Sequence, residues 1–315
     1  MIRTMKCSTS LLPKAAEDSV SVIGIIARMV LGPLIVRGLF RLNINKEYNM
    51  IIIKYPYLTK KRFEDFLNRR GKEFTNLFWA AKGGTMDTDG CFDRTGTTAR
   101  CRLGLKDREP VEKFSRDFET SLIYNEWETK VPKRNCPSDE RIYTATVYEG
   151  GVRSFKAQWV ARNTYPYLLK EEKKDYAAKL LGYRPESKPL EEWTPEEIKH
   201  YYGTASEGDG GFHIKTRKGV ITHLESTLYS SDRTYLVAVQ NLIGMVGLKT
   251  KIFEMGKYMT LKGPAQEHMV YFYSPSSGEK EYFPHINFVQ SLLDEDVMTL
   301  ERKKCRIQAF VNSLA

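Results

Sequence analysis

Apolar residues recur along this chain with two periods, and the periods alternate in blocks. In TKKRFEDFLNRRG (59–71), Phe63, Phe66 and Leu67 fall on one face of a helical repeat. Thr59 is a suitable N-cap and Gly71 a suitable stop, so the spacing predicts a helix. KEFTNLFWAAKGGTM (72–86) predicts a second. CFDRT (91–95) and TARCRLGL (98–105) alternate instead, around a turn at Gly96, and predict two strands. EPVEKFSRDFETSLI (109–123) returns to the helical period, with Pro110 in its first turn. YNEWETKV (124–131) and RIYTATVYE (141–149) predict strands, with PKRNCPSDE as the loop between them. SFKAQWVARN (154–163) and YLLKEEKKDYAAKLL (167–181) predict helices separated by Pro166.

From Thr194 the order starts again. Thr194, Pro195 and Glu197 form a capping box at the head of TPEEIKHYYGTAS (194–206). GGFHIKT and VITHLESTLYS flank a Lys218–Gly219 turn and predict a hairpin. DRTYLVAVQNLIGMVG (232–247) predicts a helix that stops at Gly247. KTKIFEMGK and EHMVYFYS predict strands, and 286–311 reads as helical throughout. KDREPV (106–111) and SDRTYL (231–236) echo one another at the second helix of each series. A repeat whose period is a whole domain predicts an α+β fold of two similar αββαββα halves. The expected boundaries are 50–184 for the first half, 185–193 for a linker rich in Pro and charge, and 194–315 for the second.

Each half also carries one short motif at the end of its first helix. GGTMDTDGCF (83–92) and GTASEGDGGF (203–212) align without a gap. Both run through small residues to an acid, one residue, a second acid and Gly. Small residues let two helices approach closely. Packing the two copies together sets Asp89 beside Asp209, with Gly90 and Gly210 turning the chain into a strand. Adjacent carboxylates repel, and Mg2+ or Mn2+ compensates: such an ion takes oxygen ligands, keeps waters and bridges a phosphate. It also stabilises charge in phosphodiester hydrolysis. Backbone carbonyls at Thr88 and Gly208 are candidates to complete the coordination.

Competing chemistries fail on spacing. Counting from Asp87, a calcium loop needs an acid at its fifth position and Gly at its sixth, where Cys91 and Phe92 stand. No phosphate-binding glycine string precedes a helix, and no pair of the five histidines has HExxH spacing. The five cysteines form no CxxC pair, which disfavours a zinc knuckle or a disulfide framework and fits a reducing compartment. The alternative for a single acid-glycine stretch is a plain helix-to-strand turn; two copies at matched places weigh against it.

Composition narrows the partner. Of 315 residues 41% are hydrophobic and 28% charged, enough for a core without cross-links. The net charge is +10 and the pI about 9.2, which favours a polyanion. Arg100, Arg102, Arg153, Lys215, Arg217 and Lys218, on strands and turns, are the candidate DNA contacts.

The paired motifs resemble those of the LAGLIDADG homing endonucleases in the single-chain, two-motif form, from about residue 59 to the C-terminus. The resemblance implies that the motif helices form the interface between halves and that Asp89 and Asp209 bind the metals. It implies two four-stranded antiparallel sheets forming a saddle in the DNA major groove, and cleavage across the minor groove that leaves 3′ overhangs. It also places a basic residue late in each half near the scissile phosphate. The candidates are Lys170, Lys173 and Lys174 in the first half and Lys303 and Lys304 in the second. Lys82, Thr85 and Ser206 stand where the family carries apolar residues; at the end of the second strand, where the family often has a Gln or similar polar residue, the first half has Leu105 followed by Lys106 and the second Ser230–Ser231. The expected activity is site-specific cleavage of double-stranded DNA by a monomer without an obligate protein partner. The alternative is an intron RNA maturase or a DNA-binding protein with the same fold and no cleavage.

Residues 1–49 read differently. SVSVIGIIARMVLGPLIVRGLF (19–40) is apolar, but Arg28, Pro33 and Arg37 interrupt it, unlike a membrane span. Few acids and several Arg, Lys and Ser fit either an organellar targeting segment, mitochondrial or chloroplast, or a leader with Met50 as the working start.

Overall fold

A computed structural model describes residues 43–45, 50–52, 59–95, 98–133, 136–260, 263–275 and 283–314. The backbone alone is described at 43–45, 50–52, 95, 126–133, 136–146, 257–260, 263–265 and 273–275. The chain divides into two units, 1–58 and 59–315. In the first, β1 (Asn43–Asn45) pairs antiparallel with β2 (Met50–Ile52). The rest of the expected leader, including 19–40, lies outside the described residues.

The second unit holds both halves of the repeat. The first runs α1 (Lys60–Arg70), α2 (Asn76–Thr88), β3 (Gly90–Thr95), β4 (Thr98–Leu105), α3 (Arg108–Asp117), β5 (Leu122–Lys133), β6 (Cys136–Arg153), α4 (Ser154–Thr164) and α5 (Glu171–Leu181). The second runs α6 (Pro195–Gly208), β7 (Gly210–Arg217), β8 (Val220–Ser230), α7 (Arg233–Gly244), β9 (Lys251–Thr260), β10 (Gly263–Pro275), α8 (Phe283–Asp294) and α9 (Glu301–Asn312). Each half folds a four-stranded antiparallel sheet, in the orders β3-β4-β6-β5 and β7-β8-β10-β9. The two orders are the same: first, second, fourth, third.

Local chemistry fixes the helix starts. The Thr59 and Thr75 hydroxyls accept from the amides of Arg62 and Phe78, both at 3.3 Å. Thr194 and Glu197 close the expected capping box, and Asp232 accepts from the Tyr235 amide at 3.1 Å. Lys218 and Gly219 both take positive φ, the backbone of a tight hairpin turn that matches strand twist.

Alternation along β4 buries Ala99, Cys101 and Leu103 and leaves Arg100 and Arg102 on the outer face. The inner face packs on Val111 and Phe114 of α3 and Val160 of α4. Beside it Phe66, Phe74, Phe78, Trp79, Phe118 and Trp159 form an aromatic cluster with centroids 4.8–6.3 Å apart. The second sheet does the same with Phe212, Leu224, Leu228, Val270 and Phe272 against α7 and α8. Burial of these faces stabilises the fold by roughly 25 cal/mol per Å² of apolar surface.

Three expectations need correction. The helix expected over 109–123 stops at Asp117, where Glu119 takes positive φ, and Leu122 and Ile123 already belong to β5. The terminal helix is broken: α8 ends at Asp294 and α9 begins at Glu301, because Asp296 takes positive φ and the amides of Thr299 and Leu300 turn to the Glu207 carboxylate. The loop expected at 132–140 is largely strand, since β5 and β6 extend as a long hairpin to a bulge near Lys133. Pro132 is tolerated because β5 is an edge strand.

Candidate active site

The two motif helices, α2 and α6, pack along each other, and the contact is complementary position by position. A Cβ at Gly84 would lie 2.5 Å from the Thr204 hydroxyl and 2.2 Å from the Tyr201 carbonyl. One turn on, a Cβ at Gly208 would lie 2.4 Å from the Thr88 hydroxyl. Residues 84 and 204 match in the repeat, as do 88 and 208, so each matched pair holds one Gly and one Thr. Two threonines would clash and two glycines would leave a void. Thr204 also donates across the interface to the Ala81 carbonyl at 2.7 Å.

Each helix ends on its second acid. Asp89 and Asp209 are the C-cap residues, their amides bonded to Thr85 and Ala205 at 3.0 and 3.2 Å. An Asp89 carboxylate oxygen occupies the space a side chain at 208 would take, 2.0 Å from that Cβ position. Asp89 therefore sits against the residue preceding Asp209. Burial and then the Asp209 charge push the Asp89 carboxyl up to about 6, against smaller lowering effects from Thr88, Lys303 and Lys170. Carboxylates at helix C-termini also face the negative end of each dipole. The arrangement thus concentrates negative charge that nearby ammonium groups offset only in part. Gly90 and Gly210 do not take positive φ; they are needed because a Cβ would meet Met86 sulfur at 2.4 Å and the Thr227 carbonyl at 2.6 Å.

The first acid of each motif has another role, which no residue spacing signals. Asp87 is fully buried and accepts from the Leu169 amide at 2.7 Å and the Lys170 amide at 3.2 Å. It also accepts from the Tyr201 hydroxyl of the other half at 2.6 Å. Glu207 accepts from the amides of Thr299 and Leu300, the latter at 2.6 Å, and from the Thr299 hydroxyl at 3.0 Å. These are remote N-caps for α5 and α9, whose own N-cap residues make no side-chain cap bond. Burial raises both carboxyls, Asp87 to about 6.

The remote caps deliver the lysines. Lys173 on α5 donates to the Gly90 carbonyl, and Lys303 on α9 donates to the Gly210 carbonyl at 2.9 Å. Lys303 also holds the carbonyls of Ser206 and Glu207, both at 2.6 Å, so all three of its protons serve the end of α6. Burial lowers its ammonium to about 8. Lys170 Nζ lies 3.3 Å from Asp209 and 4.6 Å from the centre of the Tyr235 ring. The matching residue in the second half is Leu300, which is buried. Lys174 pairs with Glu171 at 2.9 Å, and the exposed Asp296 takes Lys304; neither is bonded to the acid pair.

Among the proposed DNA contacts, Arg100 and Arg102 lie on the outer face of the first sheet, with Arg153 directly across from Arg100. Lys215, Arg217 and Lys218 lie at the exposed end of the β7–β8 hairpin, and Lys215 pairs with Glu225 at 3.0 Å. Lys82, which departs from the family pattern, is buried but paired with Asp117 at 2.6 Å beneath three aromatic rings.

Among the described residues no three His, Cys, Asp or Glu side chains cluster as a metal cage. Two partly exposed carboxylates with raised charge density instead fit an ion such as Mg2+, which binds through one or two carboxylates and takes its remaining ligands from water and phosphate.

Two copies of one αββαββα unit, joined along helices that each end on an acid, define a pseudo-dimeric α+β fold. The solved structures it is similar to include homing endonucleases. The homing endonuclease I-WcaI bound to its DNA recognition sequence is 13% identical, with a TM-score of 0.41 over 85% of this chain and 98% of that one. I-DmoI in complex with DNA and Ca is 13% identical, with a TM-score of 0.38 over 74% and 98%. The LAGLIDADG homing endonuclease I-GzeII in complex with its DNA target is 12% identical, with a TM-score of 0.34 over 74% and 96%. No family model and no curated protein matches the sequence.

Proposed function

We propose that the protein is a divalent-metal-dependent endonuclease that cuts both strands of duplex DNA at a specific site, as a monomer. The observation that carries this reading is the pairing of Asp89 with Asp209 at the ends of two packed helices, where burial and mutual repulsion raise Asp89. Such a pair costs stability and is understandable as a cation site. Asp89 and Asp209 are the metal ligands, with carbonyls of Thr88 and Gly208 as further donors. A bound Mg2+ or Mn2+ would supply charge stabilisation at the scissile phosphate. Lys173 and Lys303 hold the carbonyls that follow the two acids and act as positioning residues. Lys170 sits at the acid pair, where an ammonium can meet a phosphate oxygen.

Lys170 also favours a second reading, a nucleic-acid-binding protein such as an intron RNA maturase, because its ammonium already neutralises part of Asp209. The two readings separate in one assay. Supercoiled and linear DNA libraries are incubated with Mg2+ or Mn2+ and wild type, Asp89→Asn or Asp209→Asn. Cutting by wild type alone, with binding kept by both variants, supports the endonuclease. Wild-type inertness on every DNA, together with tight RNA binding, supports the second reading.

A further inference from the structure

We propose that the two sheets read DNA of opposite base composition, the first taking a G·C-rich half-site and the second an A·T-rich one. This rests on the endonuclease reading. β3 leaves Asp89 directly and β7 leaves Asp209 directly, so each outer face continues from the acid pair. A duplex whose phosphates meet those acids lies against both faces.

The faces differ in kind. On the first, Arg100 stands between Asp93 of β3 and Arg153 of β6, so two arginines face each other across strands beside one carboxylate. Arg102 lies on the same face, with carboxylates only at 3.7 and 4.0 Å, and the Nε of both Arg100 and Arg102 has no partner. A guanidinium recognises the O6 and N7 acceptors of guanine in the major groove. The second face has a hollow of about 600 Å³ with Phe253, Met255, Met269 and Tyr271 in its wall. Phe253 and Met255 are 43% and 37% exposed. Its carboxylates are Glu225 and Glu254, and its cation Lys215 is held by Glu225. Lys251, Arg217 and Lys218 lie outside that hollow, at an edge or a turn, where they suit phosphates. Only an A·T pair offers the apolar wall a thymine methyl, while the amino group of adenine or of cytosine can donate to the carboxylates.

The test uses the full chain carrying Asp89→Asn and Asp209→Asn, selected against a random duplex library in Mg2+ at fixed salt. The expected sites have two unequal halves, one rich in G·C and one rich in A·T. Adding Arg100→Gln and Arg102→Gln should relax the G·C half by about tenfold or more per contacted pair. The A·T half should keep its preference, which also shows that the variant is folded. Phe253→Ser with Met255→Ser should relax the A·T half alone. Sites with equal halves, or arginine changes that relax both halves alike, overturn this inference and leave the endonuclease reading standing. Failure to enrich any duplex overturns both.

Discussion

The two halves share what holds the acids and differ in what surrounds them. Asp87 and Glu207 cap matching helices, and Lys173 and Lys303 grip matching carbonyls. Lys170, however, matches Leu300, Thr88 matches Gly208, and an arginine face matches an apolar one. The shared set works through backbone groups, whose positions the fold repeats. The differing set works through side-chain ends, which can diverge once geometry is secured. The molecule is thus symmetric where it positions and asymmetric where it contacts.

The sharpest challenge to this division is removal of either acid. Asp89→Asn and Asp209→Asn should each lower cleavage by at least about 100-fold, beyond the loss seen for outer ligands. Stability should move the other way for Asp89. Its folded pKa of about 6 exceeds the ordinary carboxylate value, so the folded state holds the proton longer. Wild-type stability therefore falls as pH rises from about 4 to about 6, and the loss is complete above that. In chelator at pH 7, Asp89→Asn should melt a few degrees higher than wild type, and the gain should shrink at pH 4.5. Adding Mg2+ should raise the wild-type melting temperature and leave the variant unmoved. An unchanged melting temperature on removing the charge would argue against a strained acid pair.

The Gly/Thr interface comes next. Gly208→Thr should cost about 1–3 kcal/mol by overpacking against Thr88 and should displace Asp89. Thr88→Gly should open a small void, costing about 1 kcal/mol. Combining them restores one Gly and one Thr, now exchanged between halves. Denaturant melts should show a double variant more stable than Gly208→Thr alone. Additive losses would mean that the two positions do not meet.

How far this arrangement was legible in the sequence follows from the same division. The duplicated order of elements was readable because alternation and helical spacing repeat, and Asp89 with Asp209 because the motifs align without a gap. Asp87 and Glu207 look in sequence like more of the same acid. Only the fold brings Leu169 and Thr299 to them, across 82 and 92 residues of chain. The break before α9 was invisible for the same reason, since the cap that restarts the helix comes from a distant motif. Lys303 resembled Lys304 until burial separated them, at 2% exposure against a surface ion pair.

Lys170 tests the asymmetric set with an intermediate effect. Its ammonium sits on Asp209 while the matching Leu300 leaves Asp89 without such a partner. The two strands should then be cut at unequal rates. Lys170→Leu should change the ratio of the two nicking rates by about tenfold, the equivalent of 1.36 kcal/mol. Leu300→Lys added to it should favour the opposite strand. Strand-specific end labels on a single target read this directly, and a ratio indifferent to residue 170 would remove Lys170 from the chemistry.

The smallest effect concerns a matched pair of anchors inside the halves. Lys156 on α4 donates to the Phe118 carbonyl at 2.7 Å, just beyond α3, and lies 3.9 Å over the Phe66 ring. His285 on α8 does the corresponding task with the Lys249 amide at 2.9 Å, just beyond α7. Burial lowers the Lys156 ammonium to about 8, whereas an unfolded lysine titrates near its ordinary value of 10.5. Between those values the unfolded chain binds more protons, so stability rises with pH. From pH 8 to 9.5 the gain should be on the order of 1 kcal/mol, with the window closed below the onset of tyrosine ionisation. Lys156→Met should remove about half of that rise, because Lys303 is also lowered to about 8, and His285→Gln should keep it. Denaturant midpoints at three pH values suffice to check the sign. A wild-type curve that is flat, or that falls over this interval, would mean that Lys156 keeps its charge in water and that the two anchors are not equivalent.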